Sequence, residues 1–168
     1  MDTTNLVLLT EAVLRIVLGL RFLSSGVDNV RRWPNPVRTA SIIFPSGAPF
    51  FGFMAATLMV LGGAGMTLGL QTPLSALFLI VFLIPTFRIH MHWLRILPHQ
   101  ADHLATAITD EKAREELALL RRHAIHGHET GWRENVVLLA GCCYFLARGC
   151  AAFGLDPLIA PSVPWLIR

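Results

Sequence analysis

Charge is scarce in this chain. Asp, Glu, Lys and Arg make up 15% of its 168 residues, where soluble domains average about a quarter. Apolar residues take 54%, more than a single domain this small can hide from water. That excludes an ordinary soluble domain and points to lipid. Cysteine is scarce too: Cys142, Cys143 and Cys150 all lie near the C-terminal end. With no second set elsewhere, they exclude a disulfide framework and read as small packing residues, Cys143 and Cys150 sharing a helix face. Phosphate-binding loops, HExxH, Ser-His-Asp and CxxCH signatures are absent, so nucleotide, hydrolase and resident-haem chemistry have no support. There are no internal repeats or low-complexity tracts.

What the chain does hold is long apolar runs, at Leu6–Leu23, Ala48–Leu70, Leu74–Ile89 and Val136–Leu155. A bilayer core of ~30 Å takes about 20 helical residues. The third run reaches that length by continuing through Arg88, His90 and His92 to Leu97. The first run reads as a retained helix rather than a signal peptide. Asp2 opens it without Lys or Arg, Glu11 and Arg15 interrupt it, and no small-x-small cleavage site follows. The expected fold is all-α: an integral membrane four-helix bundle in one domain, 1–168, with spans near 6–24, 48–70, 74–97 and 134–155.

Two polar connections join these spans. Ser24–Gly47 carries Arg31, Arg32 and Arg38, and its Trp33 suits the headgroup level. In the second span, Gly65 and Gly69 form a GxxxG pair that favours tight helix packing. Gln71-Thr72-Pro73 makes a tight turn, with Pro73 suited to the first turn of the next helix. Pro85 is expected to kink the third span. The hydrophilic connection 98–133 contains Asp110–Ala124, acidic at its start and basic at its end as the helix dipole prefers. Capped by Thr109 or Asp110 and striped by Leu117, Leu120 and Ala124, it reads as an additional amphipathic surface helix. Beyond Gly154, Pro157, Pro161 and Pro164 stop any long helix, and Trp165 suits the interface.

The two connections, with Arg95 just before the second, hold nine Lys and Arg: Arg31, Arg32, Arg38, Arg95, Lys112, Arg114, Arg121, Arg122 and Arg133. Arg168 stands alone beyond the opposite ends. The positive-inside rule then puts both connections in the cytoplasm and both termini outside a cell inner membrane. The net charge of +3 is small and sits where topology needs it, which gives nucleic acid no role.

Ionisable groups inside lipid are costly and so mark candidate sites. Glu11 and Arg15, four apart, can pair along one helix face. Either they staple the bundle, or Arg15 holds an anion or a quinone carbonyl. Arg21 can snorkel to the interface. All seven histidines fall between positions 90 and 128. Imidazole is a common metal ligand, which makes His92, His99, His103, His123, His126 and His128 candidate ligands. His99 and His103 have the i, i+4 spacing of helical metal pairs.

Leu14–Gly26 (LRIVLGLRFLSSG), Ile89–Trp93 (IHMHW) and Trp132–Gly141 (WRENVVLLAG) together resemble the DoxX/DoxD-like family of small four-helix membrane proteins. The likeness rests on the early arginine and closing glycine of the first helix, on His90 and Trp93, and on Asn135 ahead of an apolar run. The chain departs from the family in having Asn29 and Arg31 where a lysine is usual after the first helix. His92 also stands in place of an aromatic, and the connection before the fourth helix is longer. The resemblance implies a small membrane subunit of a respiratory or sulfur-redox complex, like that of a thiosulfate:quinone oxidoreductase, although many relatives have no established activity. At most the chain would be a subunit of a quinone-linked oxidoreductase, with Glu11, Arg15, Arg88, His90, Trp93 and Asn135 lining a pocket for quinone. Two alternatives stand beside it: a histidine-rich protein that binds a transition metal or assists assembly, and a purely structural subunit of a larger membrane enzyme.

Overall fold

The computed structural model describes residues 2–159, and among them every regular element is a helix. Four are long: α1 (Thr3–Arg31), α3 (Ala48–Leu68), α4 (Thr72–Ala107) and α5 (Glu111–Arg148). Two are short: α2 (Asn35–Ala40), in the first connection, and α6 (Asp156–Ile159), after α5. The all-α expectation holds. α3 and α4 are each long and apolar enough to cross a bilayer, with mean hydropathies of 1.6 and 1.9 over their most apolar stretches.

Small residues bring α1 and α3 together. A Cβ at Gly63 would lie 2.5 Å from the Leu23 backbone nitrogen and 2.9 Å from the Gly19 carbonyl oxygen, so only glycine permits this approach. Gly69 ends α3 in the left-handed region, at φ 63°, and the chain turns directly into α4 with Pro73 in its first turn. Of the GxxxG pair, Gly65 packs against Ser75 and Gly69 against Arg15 and Gly154. Leu18, Phe22, Met59, Met66, Leu79, Leu83, Cys142 and Phe145 form the buried core.

The hydrophilic segment departs from expectation. Its composition predicts a separate surface helix over 110–124, but α5 runs unbroken from Glu111 through the fourth apolar run to Arg148. Likewise α4 continues through Pro85 and Pro98 to Ala107. At ~1.5 Å per residue the two helices are about 54 and 57 Å long, well beyond a bilayer core of ~30 Å. Their polar halves form a helical hairpin closed by Ile108, Thr109 and Asp110, with Asp110 capping α5 through the Lys112 N–H at 3.1 Å.

A seam of alternating three- and four-residue steps holds this hairpin together, the geometry of helices packed nearly antiparallel. On α5 it passes through Leu117, Arg121, Ala124, His128, Gly131, Asn135, Leu138, Cys142 and Phe145. All of these are half-buried or buried. On α4 it passes through Leu79, Leu83, Thr86, His90, Trp93 and Leu97. Leu117 and Ala124 lie along this seam, while Leu120 is 65% exposed, so the apolar stripe does not form one membrane-facing surface. Arg121 binds Asp102 across the hairpin at 2.7 Å.

Cys142 is in the core, Cys143 is exposed, and Cys150 lies past the end of α5; all three are free. Cys143 and Cys150 therefore do not share a helix face. Pro161, Pro164, Trp165 and Arg168 lie outside the described residues.

Candidate functional site

The six residues expected to line one pocket do not come together, and three separate places stand out in the molecule. Arg15 is buried, 1% exposed, at the end of the bundle where α3 turns into α4. Its guanidinium donates to the carbonyls of Met66 at 2.5 Å, Thr67 at 3.0 Å and Phe153 at 2.6 Å. The first two belong to the last turn of α3, where the helix dipole favours a cation. Asp156 acts at the adjoining helix start, accepting from the backbone N–H groups of Gln71 at 2.6 Å and Thr72 at 2.9 Å. One charge therefore closes each side of this turn. Asp156 is a lone acid in a proline-rich tail, and nothing in local spacing singles it out.

Glu11 does not pair with Arg15. Its carboxylate accepts from the Tyr144 hydroxyl and from Arg148 Nε at 3.3 Å, tying α1 to the end of α5. Arg21, expected to snorkel, pairs with Glu134 at 2.9 Å and bonds to Ser25.

The second place is the middle of the α4–α5 seam, where polar residues replace apolar ones. Asn135 Nδ2 donates to the Thr86 hydroxyl at 2.9 Å, which itself donates to the Leu83 carbonyl at 2.5 Å. Toward the hairpin, His90 and His128 bring their Nδ1 atoms to 3.2 Å. Trp93 stacks on His128, with ring centres 5.9 Å apart and planes 11° apart. Burial holds the His128 imidazole below its ordinary pKa, because desolvation penalises the charged ring. His90 stands 18 residues beyond Thr72, about 27 Å along the helix. Arg15 and Glu11 are thus far from it. Arg88 is exposed.

The candidate ligands His99, His103, His123 and His126 are exposed, and His92 lies half-buried against Trp93. Among the described residues, no three His, Cys, Asp or Glu side chains gather as a metal-ligand group.

The third place is an apolar cleft of about 450 Å³ between α1, α2, α3 and α4. Phe44, Phe51, Met54, Leu58, Phe82 and Ile89 supply its apolar walls, and Asn29, Thr39 and Thr86 its polar groups. Asn29 Nδ2 contacts Met59 Sδ at 3.3 Å, which leaves one amide hydrogen and the amide oxygen free to bind. None of the six expected pocket residues lines this cleft. Thr86 connects it to Asn135, and the turn-and-proline segment Asn29–Phe44 is the part of the sequence that marks it.

Residues 11–93 match the DoxX family model. This segment is a DoxX domain. It is the family that the early arginine and the His90–Trp93 element resemble; the family is membrane-associated, and α3 and α4 are each long and apolar enough to cross a membrane. No curated protein and no solved structure matches the chain. The DoxX domain holds Arg15, the whole cleft, His90 and Trp93. Asn135, His128 and Asp156 lie beyond it.

Proposed function

We propose that this DoxX-domain protein is a small subunit of a quinone-linked redox complex in a cell inner membrane, of the thiosulfate:quinone oxidoreductase kind. The observation that carries this reading is the cleft. It lies within the family segment, is walled by aromatic and aliphatic side chains, and has polar groups at Asn29 and Thr39. An apolar head with carbonyl acceptors and a long hydrocarbon tail fits such a lining, since ligand sites combine apolar walls with a few oriented polar groups. Bound quinone supplies reversible two-electron, two-proton chemistry. The chain's own part is to hold it: Asn29 and Thr39 as hydrogen-bond donors, Phe44, Phe51 and Phe82 as walls that exclude water. Electrons would come from a partner subunit.

In this proposal the apolar halves of α1 and α5 cross the bilayer beside α3 and α4, giving four spans. The antiparallel order puts the basic connection 32–47 and the α4–α5 hairpin at one end of the bundle, which the positive-inside rule assigns to the cytoplasm. Both chain ends then face outward.

The test is to purify the protein from its native membrane in mild detergent and measure the quinone that stays with it. Stoichiometric quinone in the wild type and its loss in Ala55→Phe, which fills the cleft, support the reading. Quinone no richer than in the bulk lipid extract, or unchanged in Ala55→Phe, refutes it.

A further inference from the structure

His90 and His128 come from opposite sides of the α4–α5 seam, and their Nδ1 atoms face each other at 3.2 Å. Two imidazoles bound to one tetrahedral ion at ~2.0–2.1 Å place their nitrogens about 3.3 Å apart. The pair already has that spacing. Trp93 stacks flat on His128 and fixes its plane. Gly131 makes room for His90, because a Cβ there would run into the His90 ring. Both residues are half-buried rather than sealed, so the pair is open to an ion from solvent.

We propose that His90 and His128 together bind one divalent transition-metal ion through Nδ1. The class is the borderline ions that imidazole suits: zinc, copper, nickel or cobalt. This site is independent of the cleft and of the quinone reading. No third His, Cys, Asp or Glu joins the pair among the described residues. Nearby Glu134 is engaged by Arg21. Water therefore fills the remaining positions, which makes the site open and exchangeable rather than structural. Binding through Nδ1 leaves each Nε2 protonated and free to donate to solvent.

The test uses the full chain in detergent, stripped of metal and titrated with Cu(II) alone. Electron paramagnetic resonance reads how many nitrogens bind the ion. A control variant carries His99→Gln, His103→Gln, His123→Gln and His126→Gln, which removes the exposed histidines. The control should bind one Cu(II) with two-nitrogen splitting. His90→Gln or His128→Gln, made in that control, should weaken binding roughly tenfold or more. Loss of binding in the control, or its survival in both single variants, overturns the proposal. A measurement on unaltered protein guards against variants that misfold. Zn(II) should protect His90 and His128 from acylation by diethyl pyrocarbonate more than it protects His99 and His103; equal protection of all four overturns the assignment.

Discussion

Glu11 and Arg15 stand one helical turn apart on α1 and do not pair; each reaches a different distant element. Glu11 goes to Tyr144 and Arg148 on α5, and Arg15 to carbonyls of α3 and of the segment after α5. An i, i+4 pair contributes only about 0.2–0.5 kcal/mol on a helix. Three charge-assisted hydrogen bonds from the buried guanidinium outweigh it, at roughly 1.5–3 kcal/mol each. Arg15→Ala takes the guanidinium away from three carbonyls, of which that of Met66 keeps the Gly69 N–H, and should destabilise the bundle by roughly 3 kcal/mol or more. Arg15→Lys should recover only part of the loss, because an ammonium cannot span acceptors that a planar fork reaches together. Thermal unfolding in detergent, followed by circular dichroism, gives the ranking. An Arg15→Ala protein as stable as wild type would remove Arg15 from the closure of the bundle.

Two glycines should respond in opposite directions. A methyl group at Gly63 meets the backbone of Leu23 and Gly19, which cannot yield as a flexible side chain can. Gly63→Ala should cost about 1–3 kcal/mol through overpacking. At Gly127 nothing lies within 4 Å of the added carbon, and the position is inside α5. Gly127→Ala should therefore stabilise by about 0.5–1 kcal/mol. The same unfolding measurement reads both.

The hairpin can be told from a surface helix by two leucines. Leu117 lies on the α4–α5 seam and Leu120 faces outward. Leu117→Asp should loosen residues 98–133 and speed both proteolysis and amide exchange there. Leu120→Asp should change neither. If the segment lay on the membrane instead, Leu120→Asp would be the disruptive change.

His128 gives a pH dependence of known sign. Its folded-state pKa is lowered by burial, so the unfolded chain takes up the proton first as pH falls. The ring's contribution to stability is complete above the unfolded value of about 6.5. It is lost as pH drops from there toward the lower folded value. Stability measured between pH 7 and pH 5 should fall, and His128→Gln should flatten part of that slope. A wild-type profile no steeper than that of His128→Gln would contradict this.

The apolar runs made the all-helical fold and the two helices of membrane-spanning length, α3 and α4, legible, because length and composition alone set that property. Pro73 and Asp110 likewise announced their turn and cap, since these devices act within a few residues. Long-range choices were hidden. The partners of Arg15 lie 51, 52 and 138 positions away, and local spacing favoured Glu11. The continuity of α5 was hidden by its change from charged to apolar composition, though no proline falls between Pro98 and Pro157. The three-four seam through Leu117, Ala124, His128 and Asn135 was the available signal. It is easily missed because polar residues occupy steps that apolar ones usually fill. The cleft arises from how α2 packs on α3 beside α4, and the turn-and-proline segment Asn29–Phe44 marks only a break between apolar runs.

The contact between Arg15 and Phe153 also orders the making of the protein. Synthesis proceeds from the N-terminus, so α1, α3 and α4 emerge from the ribosome before residues 153–156 exist. Until then the last carbonyls of α3 already have their cation, but the first N–H groups of α4 still lack the Asp156 carboxylate. The bundle's end is consequently fastened last, by a latch that arrives after α5. A nascent chain stalled before Phe153 would hold every long helix and still be open at the end where Arg15 sits.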